Sequence, residues 1–200
     1  MNDLVSRDSQ TASPSLLAAL RSRDSVGWEI FVRIYGPLVY RQCLRASCQS
    51  TDAADLTQRV FEKVLHAIGR FRRESPDDTF RGWLRRITQN TIVDFYRSAR
   101  SAPEAIGGTE AWQSLKEFPA TPDAEPEYDD NAEQVELAQR AWQLISGEFS
   151  PIAQRAFEML VIEEKTAVEV AELLQQSPAS IRMIKSRILN RLRQALGESD

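Results

Sequence analysis

Between Ser177 and Gly197 the chain carries Arg182, Lys185, Arg187, Arg191 and Arg193 and no acid. Cations at this density suit a phosphate backbone, and a guanidinium can also take a guanine edge in two hydrogen bonds. A second basic run lies upstream. Residues 66–100 hold Arg70, Arg72, Arg73, Arg81, Arg85, Arg86, Arg97 and Arg100 against four acids. Trp83, Asn90 and Tyr96 fall among these arginines, and basic groups interleaved with aromatics suit single-stranded nucleic acid. Enzyme chemistry has no comparable set. The single histidine, His66, has no nucleophile motif around it, Gly107-Gly108 is too little for a phosphate loop, and no metal-ligand spacing occurs. The reading is a non-enzyme with no catalytic residue, no metal and no cofactor.

Local signals say what must position these groups. Thr166 with Glu169 forms a capping box, and Ser177 followed by Pro178 is a second helix start, leaving only Leu174–Gln176 for a turn. A short helix, a tight turn and a basic helix make a helix-turn-helix pattern. On the second helix Ile181, Ile184, Ile188, Leu192 and Ala195 share one face. Ser180, Arg182, Met183, Lys185, Ser186, Arg187, Asn190 and Arg193 are the candidate DNA contacts. Arg182 suits a base and Lys185 a phosphate. Upstream, SLLAALRSR follows Pro14 as a short helix. Periodicity resumes at Ser25 with Trp28, Phe31, Val32 and Tyr35, and Gly36-Pro37 is expected to break it before LVYRQCLRAS. Thr51 or Asp52 is expected to cap DAADLTQRVFEKVLHAI, whose Leu56, Val60, Val64 and Ile68 recur every fourth residue. A charged loop, 69–78, precedes a long helix from Thr79 to Arg100 with Phe80, Trp83, Leu84, Ile87, Ile92, Phe95 and Tyr96 as core contacts. After 101–130, a helix with Val135, Leu137, Ala138, Trp142 and Ile145 stops at Gly147. Another follows Ser150-Pro151, with Phe157, Leu160 and Ile162. Nothing alternates with the period of a strand, so the fold is all-α.

The net charge of −4 hides this segregation, because residues 101–130 hold one base, Lys116, against eight acids from Glu104 to Asp130. The organisation expected is a disordered tail (1–13), a helical domain (14–100), a flexible acidic linker (101–130) and a helix-turn-helix domain (131–200). Trp112, Leu115 and Phe118 are the linker's apolar exceptions. Cys43 and Cys48 read as small buried thiols in a reducing cytosol. No apolar run is long enough to cross a bilayer, so a cytoplasmic protein without membrane insertion is expected.

Four stretches, YGPLVYRQCLR, DAADLTQRVFEKVLHAI, FRGWLRRITQNTIVDFYRSAR and SPASIRMIKSRILNRLRQAL, occur in this order. With them the chain resembles bacterial RNA polymerase sigma factors of the extracytoplasmic-function (ECF) class of the sigma-70 family. The resemblance covers roughly 15–100 and 131–197. It implies a region-two helical bundle and a region-four helix-turn-helix that reads the −35 element. It implies core RNA polymerase as partner, docked through the clamp helices of its large subunit on Asp55, Gln58, Phe61 and Glu62. Promoter DNA is the other partner, with Arg72, Arg73, Asp77, Arg86, Asn90 and Arg97 at the −10 element, where they would assist melting. An anti-sigma factor is a further family expectation. Arg59 stands where the family commonly has an acid, and Gln175-Gln176 replaces the usual glycine-containing turn. The alternative is a stand-alone helix-turn-helix regulator with an N-terminal dimerisation or sensor domain, which would need neither the Asp55–Glu62 stripe nor the charged loop.

Overall fold

A computed structural model describes residues 15–46, 49–75, 78–101 and 130–198 of the chain. Among them the regular structure is entirely helical. Ser15 accepts a hydrogen bond from the Ala18 amide and starts α1, Leu16–Arg21. The Asp24 carboxylate, 2.7 Å from the Gly27 amide, starts α2, Ser25–Arg45. The break expected at Gly36-Pro37 does not occur, and α2 runs straight through Pro37. An interior proline costs about 3 kcal/mol. Ile34, Tyr35, Leu38, Val39 and Cys43 are buried around it, at about 1.5–3 kcal/mol for each large apolar side chain, so burial outweighs the lost donor. Cys43 is buried, as read from its setting. Cys48 lies outside the described residues.

Helix α3, Ser50–Ala67, starts before either expected cap, and its N-cap residue Gln49 makes no side-chain bond. The helix is instead held by its apolar stripe, with Leu56, Val60, Val64 and the following Ile68 all buried. A single 3-10 turn, Ile68–Arg70, leads into the charged loop. Helix α4, Phe80–Ser101, follows, and the Thr79 hydroxyl accepts from the Gly82 amide at 3.0 Å. Aromatic edges lock these helices together. The Phe80 ring lies 5.3 Å from Tyr35, 5.8 Å from Phe71 and 5.6 Å from Trp83. Trp83 is therefore a packing residue, as its position among apolar neighbours suggested. Val32 is the exception on α2, being exposed, with Ile34 buried in its stead.

The second group comprises α5, Asp130–Ile145, α6, Pro151–Val161, α7, Ala167–Leu173, and α8, Pro178–Ala195. Gly147 sits in a 3-10 turn, Ser146–Glu148, as a break there requires. Ser150 caps α6 and Ser177 caps α8, each followed by a proline at the first turn. Val135 and Ile162 were expected inside but are exposed. The buried face of α5 runs through Glu133, Leu137, Ala141 and Ile145, and α6 ends before Ile162. Ala156, Met159, Val170, Ala171 and Ile181 form a small core where α6, α7 and α8 meet. The larger core joins both groups, because Leu137, Ala141, Leu192, Ala195 and Leu196 pack in one cluster with Leu17, Tyr35 and Phe80. Trp112, Leu115 and Phe118, the tail 1–13 and the linker, except for its helical ends at Ser101 and Asp130, lie outside the described residues.

Candidate nucleic-acid interface

The helix-turn-helix is built as its caps demand. Thr166 accepts from the Glu169 amide at 3.3 Å while the Glu169 carboxylate accepts from the Thr166 amide at 2.7 Å. Hydrogen bonds from the Thr166 hydroxyl and amide hold the Glu169 carboxyl below the usual carboxylate range. In the turn, Gln175 adopts φ +52°, the left-handed conformation that favours glycine. The departure noted in the sequence is thus met by a glutamine doing a glycine's conformational work. Ser177 then accepts from the Ser180 amide at 3.1 Å. Ile181 and Ile188 are fully buried, whereas Arg182, Met183, Lys185, Ser186, Arg187, Asn190 and Arg193 are exposed on the other arc of α8. Ser180 is half-buried at the helix start. Met183, 66% exposed, stands among these polar groups as an apolar contact. Arg191 alone turns inward, pairing with Glu148 through bonds of 2.8 and 2.7 Å.

The first group presents a different surface. Asp55, Gln58 and Glu62 are exposed along α3, with Gln58 donating to Glu62 at 3.2 Å. Phe61 does not join this stripe. Its ring packs 5.2 Å from Phe31 in an edge-on contact, because its position on α3 faces α2. Arg86, Asn90 and Arg97, spaced four and seven residues apart, are exposed on one side of α4. Between α3 and α4 runs an open groove of about 770 Å³, lined by Glu62, Lys63, Asn90 and Phe95 among others. Glu62, from the expected docking stripe, and Asn90, an expected DNA contact, thus border one groove. Arg59 lies above the Phe95 ring at 5.9 Å, a cation–π contact at the groove's edge.

Asp78 ties back to the described start of the charged loop. The Asp78 carboxylate accepts from the Ser75 amide at 2.8 Å and the Glu74 amide at 3.1 Å. These backbone bonds, Ser75's first, hold its carboxyl below the usual range, and Arg86 contributes. Arg72 folds back on the carbonyls of Gly69 and Phe71. Arg73 donates to the Asp78 carbonyl at 2.9 Å and also to the Glu198 carbonyl beyond α8. Asp77 lies outside the described residues.

Sequence reasoning missed a further charged set. Glu133 on α5 is 6% exposed and pairs with Arg85 of α4 at 2.7 Å, with Arg45 of α2 at 3.8 Å. Arg41 of α2 grips Glu136 in two bonds, one of 2.7 Å, and Arg140 joins the same carboxylate. The only sequence signal was the spacing of Glu133, Glu136 and Arg140 on one side of α5. Among the described residues no cluster of metal ligands occurs, and no helix is long and apolar enough to cross a membrane.

Among the described residues, an all-helical arrangement couples a bundle with a charged groove to a helix-turn-helix with a basic, exposed face. Its first group is more specific still. Residues 31–102 match the family model described as Sigma-70 region 2. Over that stretch, about a third of its length, the chain is similar to the sigma-70 family. Over 70 residues it is 39% identical to a protein of Mycolicibacterium smegmatis described as ECF RNA polymerase sigma factor SigE. That stretch is 35% of this chain and 26% of the relative, so the match spans about a quarter of the relative's length. The chain also aligns with a solved structure, "Structure of CnrH in complex with the cytosolic domain of CnrY", at 22% identity and a TM-score of 0.36, covering 92% of this chain and 97% of that one.

Proposed function

We propose that this protein is an ECF-class sigma factor that binds core RNA polymerase, directs it to specific promoters and assists opening of the duplex. The observation that carries the reading is one chain holding both a sigma-70 region 2 domain over 31–102 and a helix-turn-helix that exposes Arg182, Met183 and Ser186. Each part then has work to do. Asp55, Gln58 and Glu62 offer carboxylates and an amide to the polymerase's clamp helices. Arg72, Arg73, Asp77, Arg86, Asn90 and Arg97 are the contacts to the −10 element, where arginines track the separated strand's phosphates and the loop receives an unstacked base. The opening free energy comes from binding, without nucleotide hydrolysis. The Arg182 side of α8 reads the −35 element in the major groove. The division into a tail (1–13), a region-two domain (14–100), a linker (101–130) and a region-four domain (131–200) belongs to the same reading, as does a place in the cytoplasm. The stand-alone regulator loses ground to the region 2 match, which such a protein does not need.

Sigma-free core polymerase, genomic promoter fragments and this protein are mixed and transcript 5′ ends mapped. Discrete starts that depend on the protein are expected. Duplex binding by the protein alone, with no change in polymerase starts, would overturn the reading.

A further inference from the structure

Helix α8 carries most of its charge on its flanks. Ile181, Ile188 and Leu192 are buried on one side of it. At about 100° per residue, Ala179, Met183, Ser186 and Asn190 form a ridge directly opposite that side, and all of them are exposed. Over these turns the ridge carries no charge, and Arg193 continues it at the far end. Arg182 and Lys185 stand to one side of the ridge and Arg187 to the other, all exposed. Arg191, farther round, is taken up by Glu148. A helix seated in the major groove turns the ridge opposite its packed face toward the base edges, and its flanks toward the two phosphate backbones. The cations of α8 are thus placed for the walls of the groove, and its floor is left to a neutral ridge.

Met183 is the dominant member of that ridge. Of the large apolar side chains on α8 it alone is exposed, at 66%, while Ile184 and Leu189 are partly buried. It lies near the N-terminal end, the part of such a helix that reaches base edges. Its ridge neighbours one turn away on either side, Ala179 and Ser186, are short, so Met183 projects farthest there. A thioether has no N–H or O–H to donate. Packed over the amine of cytosine or the acceptors of guanine, it would leave those groups unpaired. Thymine differs, because its major-groove edge carries a C5 methyl that an apolar side chain can cover. Methionine, unbranched and polarizable, adapts readily to such a contact.

We propose that Met183 is a specificity-determining residue that packs on the 5-methyl group of a thymine in the element read by α8, while Lys185 and Arg187 hold phosphates on either side. The proposal deepens the sigma-factor reading and rests on it for the identity of that element. The chemistry recognised is a 5-methylpyrimidine edge. A 5-methylcytosine at the same place offers the same methyl beside an amine.

The test selects duplexes from a randomised pool with the full chain, once with core polymerase and once without. Each thymidine of the selected consensus is then replaced in turn by deoxyuridine, which removes only the methyl. One replacement should weaken wild-type binding about fourfold, the worth of one buried methyl, and Met183→Ala should bind both duplexes alike. Met183→Leu keeps an apolar reach and should retain the difference. With cytosine in place of that thymine, 5-methylation should strengthen wild-type binding and leave Met183→Ala unchanged. Both variants should keep the wild-type helical signal and Tm, since Met183 is exposed. Equal wild-type binding of thymine and uracil duplexes at every position, or a penalty that Met183→Ala keeps, would overturn the contact. A consensus that emerges only without polymerase, with its methyl dependence intact, would instead strike the sigma-factor reading and leave the contact standing. No consensus under either condition would overturn both.

Discussion

At Gly27 the first two helices cross so closely that a Cβ would stand 2.3 Å from the Cβ of Ala19. No flexible side chain there can yield, since both partners are short. Gly27→Ala should therefore cost about 1–3 kcal/mol, the usual range for overpacking a buried site, with urea denaturation as the check. Arg182 illustrates the opposite case, a residue whose worth lies outside the fold. It is exposed at the start of α8, so Arg182→Ala should leave stability unchanged and lose about 1–3 kcal/mol of discrimination at one or two promoter positions. Selection from a randomised −35 element measures this. If preference holds and only the salt dependence falls, Arg182 contacts phosphate.

Among the helices, α3 is the clearest division of labour. Leu56, Val60 and Val64 bury one face while Asp55, Gln58 and Glu62 stay exposed on the other. Asp55→Lys with Gln58→Ala should weaken co-purification with core polymerase by an order of magnitude and leave the helical signal intact. Unchanged co-purification would count against this face as the docking surface. Helices with strong local codes were legible in the sequence: the Thr166–Glu169 box, Ser150-Pro151 and Ser177-Pro178 each start a helix where their chemistry requires. The reading faltered where tertiary burial overrides a local rule. Pro37 should break a helix by propensity, yet the core on either side carries α2 through. Phe61, grouped with the polymerase contacts through the resemblance, packs its ring against Phe31, a contact its place in the sequence does not reveal. Val135 and Ile162 looked like core by residue type, and the helix phase and end of α6 put them outside. The ion pairs of Glu133 and Glu136 were invisible because their partners come from α2 and α4, far away in sequence.

At the scale of the whole molecule, the two groups meet through the ion pairs of Glu133 and Glu136, and acid should loosen that contact. The Arg41 hydrogen bond, then the charges of Arg140 and Arg41, hold the Glu136 carboxyl below its usual range, against the opposing effect of desolvation. Arg41 is raised in turn, first by its bond to Glu136. Glu133, Arg45 and Arg85 face the same cluster. A carboxyl with a depressed value stabilises the contact above its unpaired value, near about 4.3 for a free glutamate, and that contribution is lost as pH falls through the depressed paired value. Scattering from the free protein should accordingly show a radius of gyration steady near neutrality and rising below about pH 4, and Glu136→Gln should remove most of the acid dependence. The occupied arginines carry one more consequence. With Arg41, Arg45 and Arg85 facing carboxylates and Arg73 turned to a carbonyl, fewer cations remain to displace counterions from random duplex. A chromosome offers about 10⁶–10⁹ accidental sites, and a molecule that hides charge while unattached escapes that sink. On the sigma-factor reading, this keeps the protein available to polymerase instead of titrated away by the genome.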